Sequence, residues 1–375
     1  MAGNRKFRGE IFMSNFVTFL VLCWLSGSVY SLQCMSQQNK PIDWYIAYKL
    51  PDAHNLPSNS FYFMDAVSKV WSLSMRTLND DSQAIYNTLQ QIYTKSRNEY
   101  SEDLLYLMYN DDFPSTTLNY TSRRLYSTEH GHTKGVIAFD SNSGFWLIHS
   151  TPKFPPSKDN GYSYPDSAKN HGQSFLCISM DTSSNLDEIG HQLLYNYPGI
   201  YDQGVSSYFK QYSNMMDVLN DEHITTQPWY RETILTSLSG VKFRSFAKYA
   251  NFDKDLYSDW LAPLFQDNLL VETWQNGRNK MCSNCSGTYK VYNINTLEFD
   301  SDNIAFKETQ DHSKWMVTNT TRNVWTCIGD INRQMSQEKR PGGTVCLQDI
   351  YVWKQFHQLI TSYHDCNIYS GCIPP

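Results

Sequence analysis

Short runs of aromatic and β-branched residues, most of them bounded by turn residues, recur along the chain. They predict strands over residues 44–48, 135–139, 145–149, 175–178, 290–294, 315–317 and 324–328. Apolar residues at helical spacing predict helices over 81–100, 184–194, 240–248 and 348–362. Strands interleaved with helices fit an α/β or α+β architecture, with sheets flanked by helices. The proline-rich stretch 152–165 reads as a loop. No low-complexity linker divides the chain, and its weakest join lies near 197–207.

One pattern repeats. His132-Thr-Lys134 and His312-Ser-Lys314 each open a strand-like run that is followed by a turn and a second strand. The two histidines stand 180 residues apart, which suits a duplicated fold whose halves face each other.

The N-terminus changes the reading of charge. Arg5, Lys6 and Arg8 oppose a single Glu10, an apolar run spans 11–25, and small or polar residues follow to Ser31. This is the pattern of a secretory signal peptide cut after Ser31, and the apolar run is short against the roughly 20 residues that a membrane anchor needs. Removing residues 1–31 lowers the formal charge from −6 to −8 and removes Cys23, leaving eight cysteines. An even count behind a signal peptide predicts disulfides rather than metal ligands, although Cys282 and Cys285 have the spacing of a zinc or redox pair. Sequons at Asn119, Asn284 and Asn319 predict glycosylated loops. The acidic balance speaks against constitutive nucleic-acid binding at neutral pH. Ten histidines could reverse it, since protonating all of them would carry the mature chain to about +2.

On a strand, alternate residues face the same way, so a His-x-Lys unit aims an imidazole and an ammonium at one spot. Two facing units would supply two imidazoles and two fixed cations. One imidazole could attack phosphorus, the other protonate the leaving oxygen, and the lysines hold the non-bridging oxygens. His130 with Gly131 and His132 lacks a third ligand nearby for zinc. His54, His171, His191, His223, His357 and His364 read as surface or helix residues.

The residues around both units carry a more specific likeness. Glu129-His-Gly-His-Thr-Lys-Gly135, Gly144-Phe-Trp-Leu-Ile-His-Ser150 and Phe154-Pro-Pro156 resemble the first active-site segment of the deoxyribonuclease II family. Asp311-His-Ser-Lys-Trp315 and Trp325-Thr-Cys-Ile-Gly-Asp-Ile-Asn-Arg333 resemble the second. Pro41-Ile-Asp-Trp44, Tyr48-Lys-Leu-Pro51, Ser245-Phe-Ala-Lys248, Asp255-Leu-Tyr-Ser258 and Trp260-Leu-Ala262 extend the resemblance from about Cys34 to Cys366.

That resemblance implies a phospholipase D-like fold of two pseudo-symmetric halves, each a mixed sheet flanked by helices, sharing one active site. The halves would occupy 32–205 and 206–375. It also implies an acid endonuclease of lysosomal or secreted type that acts on DNA, duplex above all, without cofactor or metal and leaves 3′-phosphate ends. Its target would be DNA of dying or engulfed cells, and its assembly a monomer or homodimer. By motif, the catalytic set would be His132, Lys134, His149, His312 and Lys314, with Asn332 supporting phosphate or a histidine. The halves differ, because Gly329 stands where His149 does, 17 residues after the motif histidine. The family pairing would join Cys34–Cys177, Cys285–Cys366 and Cys327–Cys346, which leaves Cys282 and Cys372 for each other. Two other readings stay open: a phosphodiesterase acting on lipid or single-stranded ends, and an inactive glycosylated binding protein of the same fold.

Overall fold

A computed structural model describes residues 31–52, 56–94, 103–114, 129–366 and 372–374, with Met1 and Gly3. Nearly all of the predicted signal peptide, together with His54 and Asn119, lies outside the described residues. Ser31–Pro375 forms one compact unit.

Two large sheets form the frame of that unit. The first runs, in spatial order, Ile200–Val205, Leu105–Tyr109, Gly135–Phe139, Ser143–His149, Gln173–Asp181, Trp44–Lys49, Ser60–Asp65 and Ser72–Thr77. The second runs Tyr230–Thr236, Lys242–Lys248, Gly342–Gln348, Trp325–Gly329, Trp315–Thr318, Leu269–Glu272, Val291–Phe299 and Ile304–Lys307, with Ile360–His364 also on Val291–Phe299. Pairing is antiparallel except between Leu269–Glu272 and Val291–Phe299. The result is the mixed α+β, two-sheet architecture expected from the sequence.

Strand alternation decides which residues meet. Trp44, Ile46 and Tyr48 enter a core cluster that also holds Leu270, Ile294, Trp315 and Ile328 of the second sheet. Tyr45 and Ala47 face the other way, onto the helix Ala84–Tyr93. The helix Thr182–Asn196 contributes Leu186, Ile189, Leu193 and Leu194 to the shared core, at the spacing of one helical face. Asp181 caps it by accepting from the Ser184 N–H.

Segment 240–248 departs from its helical expectation. Lys242–Lys248 is a strand paired with Tyr230–Thr236 on one side and Gly342–Gln348 on the other. Phe243 faces the shared core and Phe246 the outer cluster, so burial on both faces hides the two-residue period, and sheet pairing overrides helix propensity. The helix expected over 348–362 is Ile350–His357, after which the chain turns into the strand Ile360–His364.

Disulfides join Cys34–Cys177, Cys282–Cys372, Cys285–Cys366 and Cys327–Cys346. Among the described residues, no helix is long and apolar enough to cross a membrane. Arg333 is completely buried; its Nε lies 3.3 Å from Asp255, and Nη1 donates to the Cys282 carbonyl at 3.0 Å and to Asn293. Arg333→Met is expected to cost about 3–5 kcal/mol, because it strands the Asp255 charge inside the protein. Chemical denaturation should show a lower midpoint, and an unchanged midpoint would contradict this.

Candidate active site

Both His-x-Lys units lie just before a central strand, Gly135–Phe139 in the first sheet and Trp315–Thr318 in the second. His132, Lys134, His312, Lys314 and Asn332 line one cavity of about 260 Å³, together with Asp111, Ser150 and Trp274. The two units share a backbone contact. The His149 N–H donates to the Lys134 carbonyl at 3.2 Å, and the Gly329 N–H donates to the Lys314 carbonyl at 2.9 Å.

The two units are tuned differently. His132 Nδ1 lies 2.6 Å from the Asp330 carbonyl, which can only accept, so Nδ1 carries the hydrogen and Nε2 keeps its lone pair. Nε2 lies 3.5 Å from Asp111, whose carboxylate also meets Lys134 at 2.5 Å and Arg340 at 3.2 Å. Thr133 donates to the Asp330 carboxyl at 2.8 Å. In the second unit, the Lys314 ammonium donates to the His312 carbonyl. The His312 ring stacks on His171 at 4.0 Å and meets the edge of Trp274 at 3.8 Å, while its Nε2 is buried without a hydrogen-bond partner among the described residues.

The segment that carries Asp330 and Asn332 is pinned from several sides. Tyr257 donates to the Ile331 carbonyl at 2.7 Å, and the Asp330 N–H donates to the Gly343 carbonyl at 3.0 Å. Asn332 Oδ1 accepts the Trp274 N–H at 3.3 Å, which ties the wall beside His312 to this segment.

His149 sits elsewhere than the cavity wall. It is completely buried behind Lys134, accepts the Thr151 N–H through Nδ1 at 3.2 Å, and packs between Phe154 and Phe175. Burial pushes its pKa down to about 3, and Lys134 adds to this. Its equivalent is glycine for a steric reason: a Cβ at Gly329 would lie 2.3 Å from the Gly343 carbonyl oxygen.

Burial governs the charges. It holds the His132 and His312 imidazoles well below their ordinary pKa, helped by Lys134 and Lys314 respectively. Lys314 is lowered to about 7 by burial and then by Lys134. Asp330 is raised to about 7 by burial. For Asp111, burial opposes ionisation, but Lys134, His132 and Arg340 outweigh it and keep the carboxylate charged.

These environments change the assumption that all ten histidines titrate at an ordinary pKa. Burial lowers seven of them: His132, His149, His171, His191, His312, His357 and His364. Two groups at the site have values near neutrality: Lys314 in the cavity wall and Asp330, whose carboxyl meets Thr133 beside His132. His171 also departs from its reading as a surface residue, since it stacks on His312. Asp111 and Trp274 escape sequence reasoning altogether; they stand in no motif and reach the cavity through the fold. His130 turns away, 2.9 Å from Asp221 and stacked on Tyr197. Asn284 is half-buried in a β-bridge with Val291, and Asn319 is half-buried at a bend.

A family model described as Deoxyribonuclease II matches residues 33–366. The chain is 41% identical to Plancitoxin-1 of Acanthaster planci over 360 residues, covering 93% of this chain and 98% of that protein. It is 38% identical to Deoxyribonuclease-2-alpha of Mus musculus, covering 92% of this chain and 96% of that protein. To Deoxyribonuclease-2-beta of Homo sapiens it is 34% identical, covering 97% and 99%.

Proposed function

Because the chain belongs to the deoxyribonuclease II family, we propose that it is an acid endonuclease that cuts DNA without a divalent metal and leaves 3′-phosphate ends. The observation that carries this reading is the convergence of two His-x-Lys units, one from each sheet, on a single cavity. A phosphodiester entering it would meet the ammonium groups of Lys134 and Lys314. Those cations would offset the charge on the non-bridging oxygens, the work that a divalent ion does elsewhere.

In the reaction we propose, His132 Nε2 attacks phosphorus, forming an N–P bond as the P–O5′ bond breaks. His312 gives its proton to the departing 5′-oxygen. A water molecule then loses a proton to His312 and attacks phosphorus, the N–P bond breaks, and the 3′-phosphate leaves. The fixed tautomer of His132 favours it as nucleophile. The proton on His312 is accounted for by the substrate: a phosphate anion set against the buried ring raises its affinity for a proton, so binding takes one up from solution. His149 supports the Lys134 backbone, and Asn332 orients Trp274 beside His312.

The N-terminal pattern supports entry into the secretory pathway, with glycosylation, and work in lysosomes or outside the cell on DNA of dying or engulfed cells. Plasmid digestion across pH, with and without EDTA, followed by end-group analysis, tests the chemistry. Cleavage should persist in chelator, reach its maximum near pH ~5 and yield 3′-phosphates and 5′-hydroxyls. Dependence on added metal, or 5′-phosphate ends, would overturn the proposal.

A further inference from the structure

Two lysines that do not line the cavity occupy equivalent places in the two sheets. Lys49 ends the strand Trp44–Lys49, Lys248 ends Lys242–Lys248, and both are completely buried. The Lys49 ammonium donates to the carbonyls of Ala168 and His171, each at 2.9 Å, and to that of Lys169. The Lys248 ammonium donates to those of Gln337 at 2.9 Å and of Glu338 and Arg340, each at 2.8 Å. An ammonium has three hydrogens, and here each is used on the backbone of one loop. A buried cation is tolerated only when its donors are satisfied, so ammonium and loop conformation depend on each other.

Each knotted loop runs on to a histidine of the site. The first continues to Gly172, whose carbonyl accepts the His312 N–H at 2.9 Å and whose N–H donates to the Gln310 carbonyl at 2.8 Å. The same loop carries the His171 ring that stacks on His312. The second continues to Pro341, whose carbonyl accepts the His132 N–H at 2.9 Å, and its Arg340 reaches Asp111 beside His132. Glycine permits both approaches. A Cβ on Gly172 would lie 2.3 Å from an Asp311 carboxylate oxygen, and one on Gly131 would lie 2.9 Å from the Pro341 carbonyl oxygen. Each histidine is thus held by a loop that belongs to the other sheet.

We propose that Lys49 and Lys248 are positioning residues of a reciprocal latch, in which each knots a loop of its own sheet and that loop sets the histidine of the opposite sheet. The proposal rests on the reading of His132 and His312 as the catalytic pair. Its consequence is that the distance between the two imidazoles is fixed from both sides, and neither half of the site is in register without the other.

The test is crossed. Lys49→Met and Lys248→Met keep the aliphatic stem and remove the three donors. Each should lower kcat on plasmid DNA by roughly 10- to 100-fold, the effect of a small misplacement of reacting groups, with KM within about twofold of the parent. Hydrogen exchange read by mass spectrometry should separate the two. Lys49→Met should speed exchange over 310–314 and leave 130–134 protected, and Lys248→Met should do the reverse. Lys49→Arg and Lys248→Arg, which keep a charge but not the three-carbonyl geometry, give the same reading if the methionine variants do not fold. Faster exchange confined to the knotted loop, or equal in both histidine segments, would overturn the latch. A crossed exchange pattern in a protein whose histidine variants still cut DNA would keep the latch and remove the catalytic assignment instead.

Discussion

Replacing His312 with asparagine is expected to lower cleavage of plasmid DNA by about 10³-fold, the loss of a general acid, while much of the hydrolysis of a nitrophenyl ester of thymidine 3′-phosphate survives. His132→Asn should abolish both activities, by about 10⁴-fold or more. The difference follows from the leaving group. A 5′-alkoxide of DNA must be protonated as it departs, whereas nitrophenolate leaves as an anion and needs no acid. The asymmetry has its origin in the geometry. The Asp330 carbonyl fixes the hydrogen of His132 on Nδ1 and leaves a lone pair on Nε2, while His312 has a buried Nε2 with no partner among the described residues. Circular dichroism and hydrogen exchange should match the parent in both variants, since each ring lies at the cavity rather than in the core. A reversed pattern would exchange the two roles, and DNA cleavage retained by either variant would take that histidine out of the chemistry.

The parts of this site that are legible in the sequence are those written locally. A His-x-Lys unit before a strand is a two-residue rule, so His132, Lys134, His312 and Lys314 stand out without a fold. The offset that sets His149 against Gly329 also has a local basis, because both residues pair with the lysine two positions after their motif histidine. Asp111, His171 and Trp274 cannot be found that way. They reach the cavity, or in the case of His171 the His312 ring, from loops whose placement depends on contacts between distant segments, such as Gly172 against Asp311. The helical expectation for 240–248 fails for a related reason. A central strand buried on both faces carries no alternation, and only its two neighbours make it a strand. Composition misleads in the same direction: counting histidines assumes ordinary pKa values, and burial lowers seven of the ten.

We expect the pH dependence of the site to rest on two groups with values near neutrality, Lys314 in the cavity wall and Asp330 beside His132. Lys314 has a lowered pKa of about 7, so it is a cation below that value and neutral above it. Asp330 has a raised pKa of about 7, so it is neutral below and an anion above. Raising the pH through 7 therefore removes a positive charge from the cavity wall and adds a negative one on the residue whose carbonyl holds His132. Both changes act against the substrate. As a general scale, at an effective dielectric near 20 a unit charge about 8 Å from a phosphate acts on it with about 2 kcal/mol. Activity on DNA should accordingly collapse between about pH 6 and pH 8 through KM more than through folding. Asp330→Asn isolates one of the two charges, because it keeps the backbone carbonyl that orients His132 and a side-chain oxygen for Thr133. It should raise kcat/KM at about pH 7.5 by roughly tenfold over the parent and leave the value near pH 5 almost unchanged. Lys314 still loses its proton in this variant, so the alkaline fall should be shifted rather than abolished. Parallel pH profiles for parent and variant would show that the Asp330 carboxyl plays no part in the acid requirement. A loss of activity at acid pH would show instead that its proton is needed there.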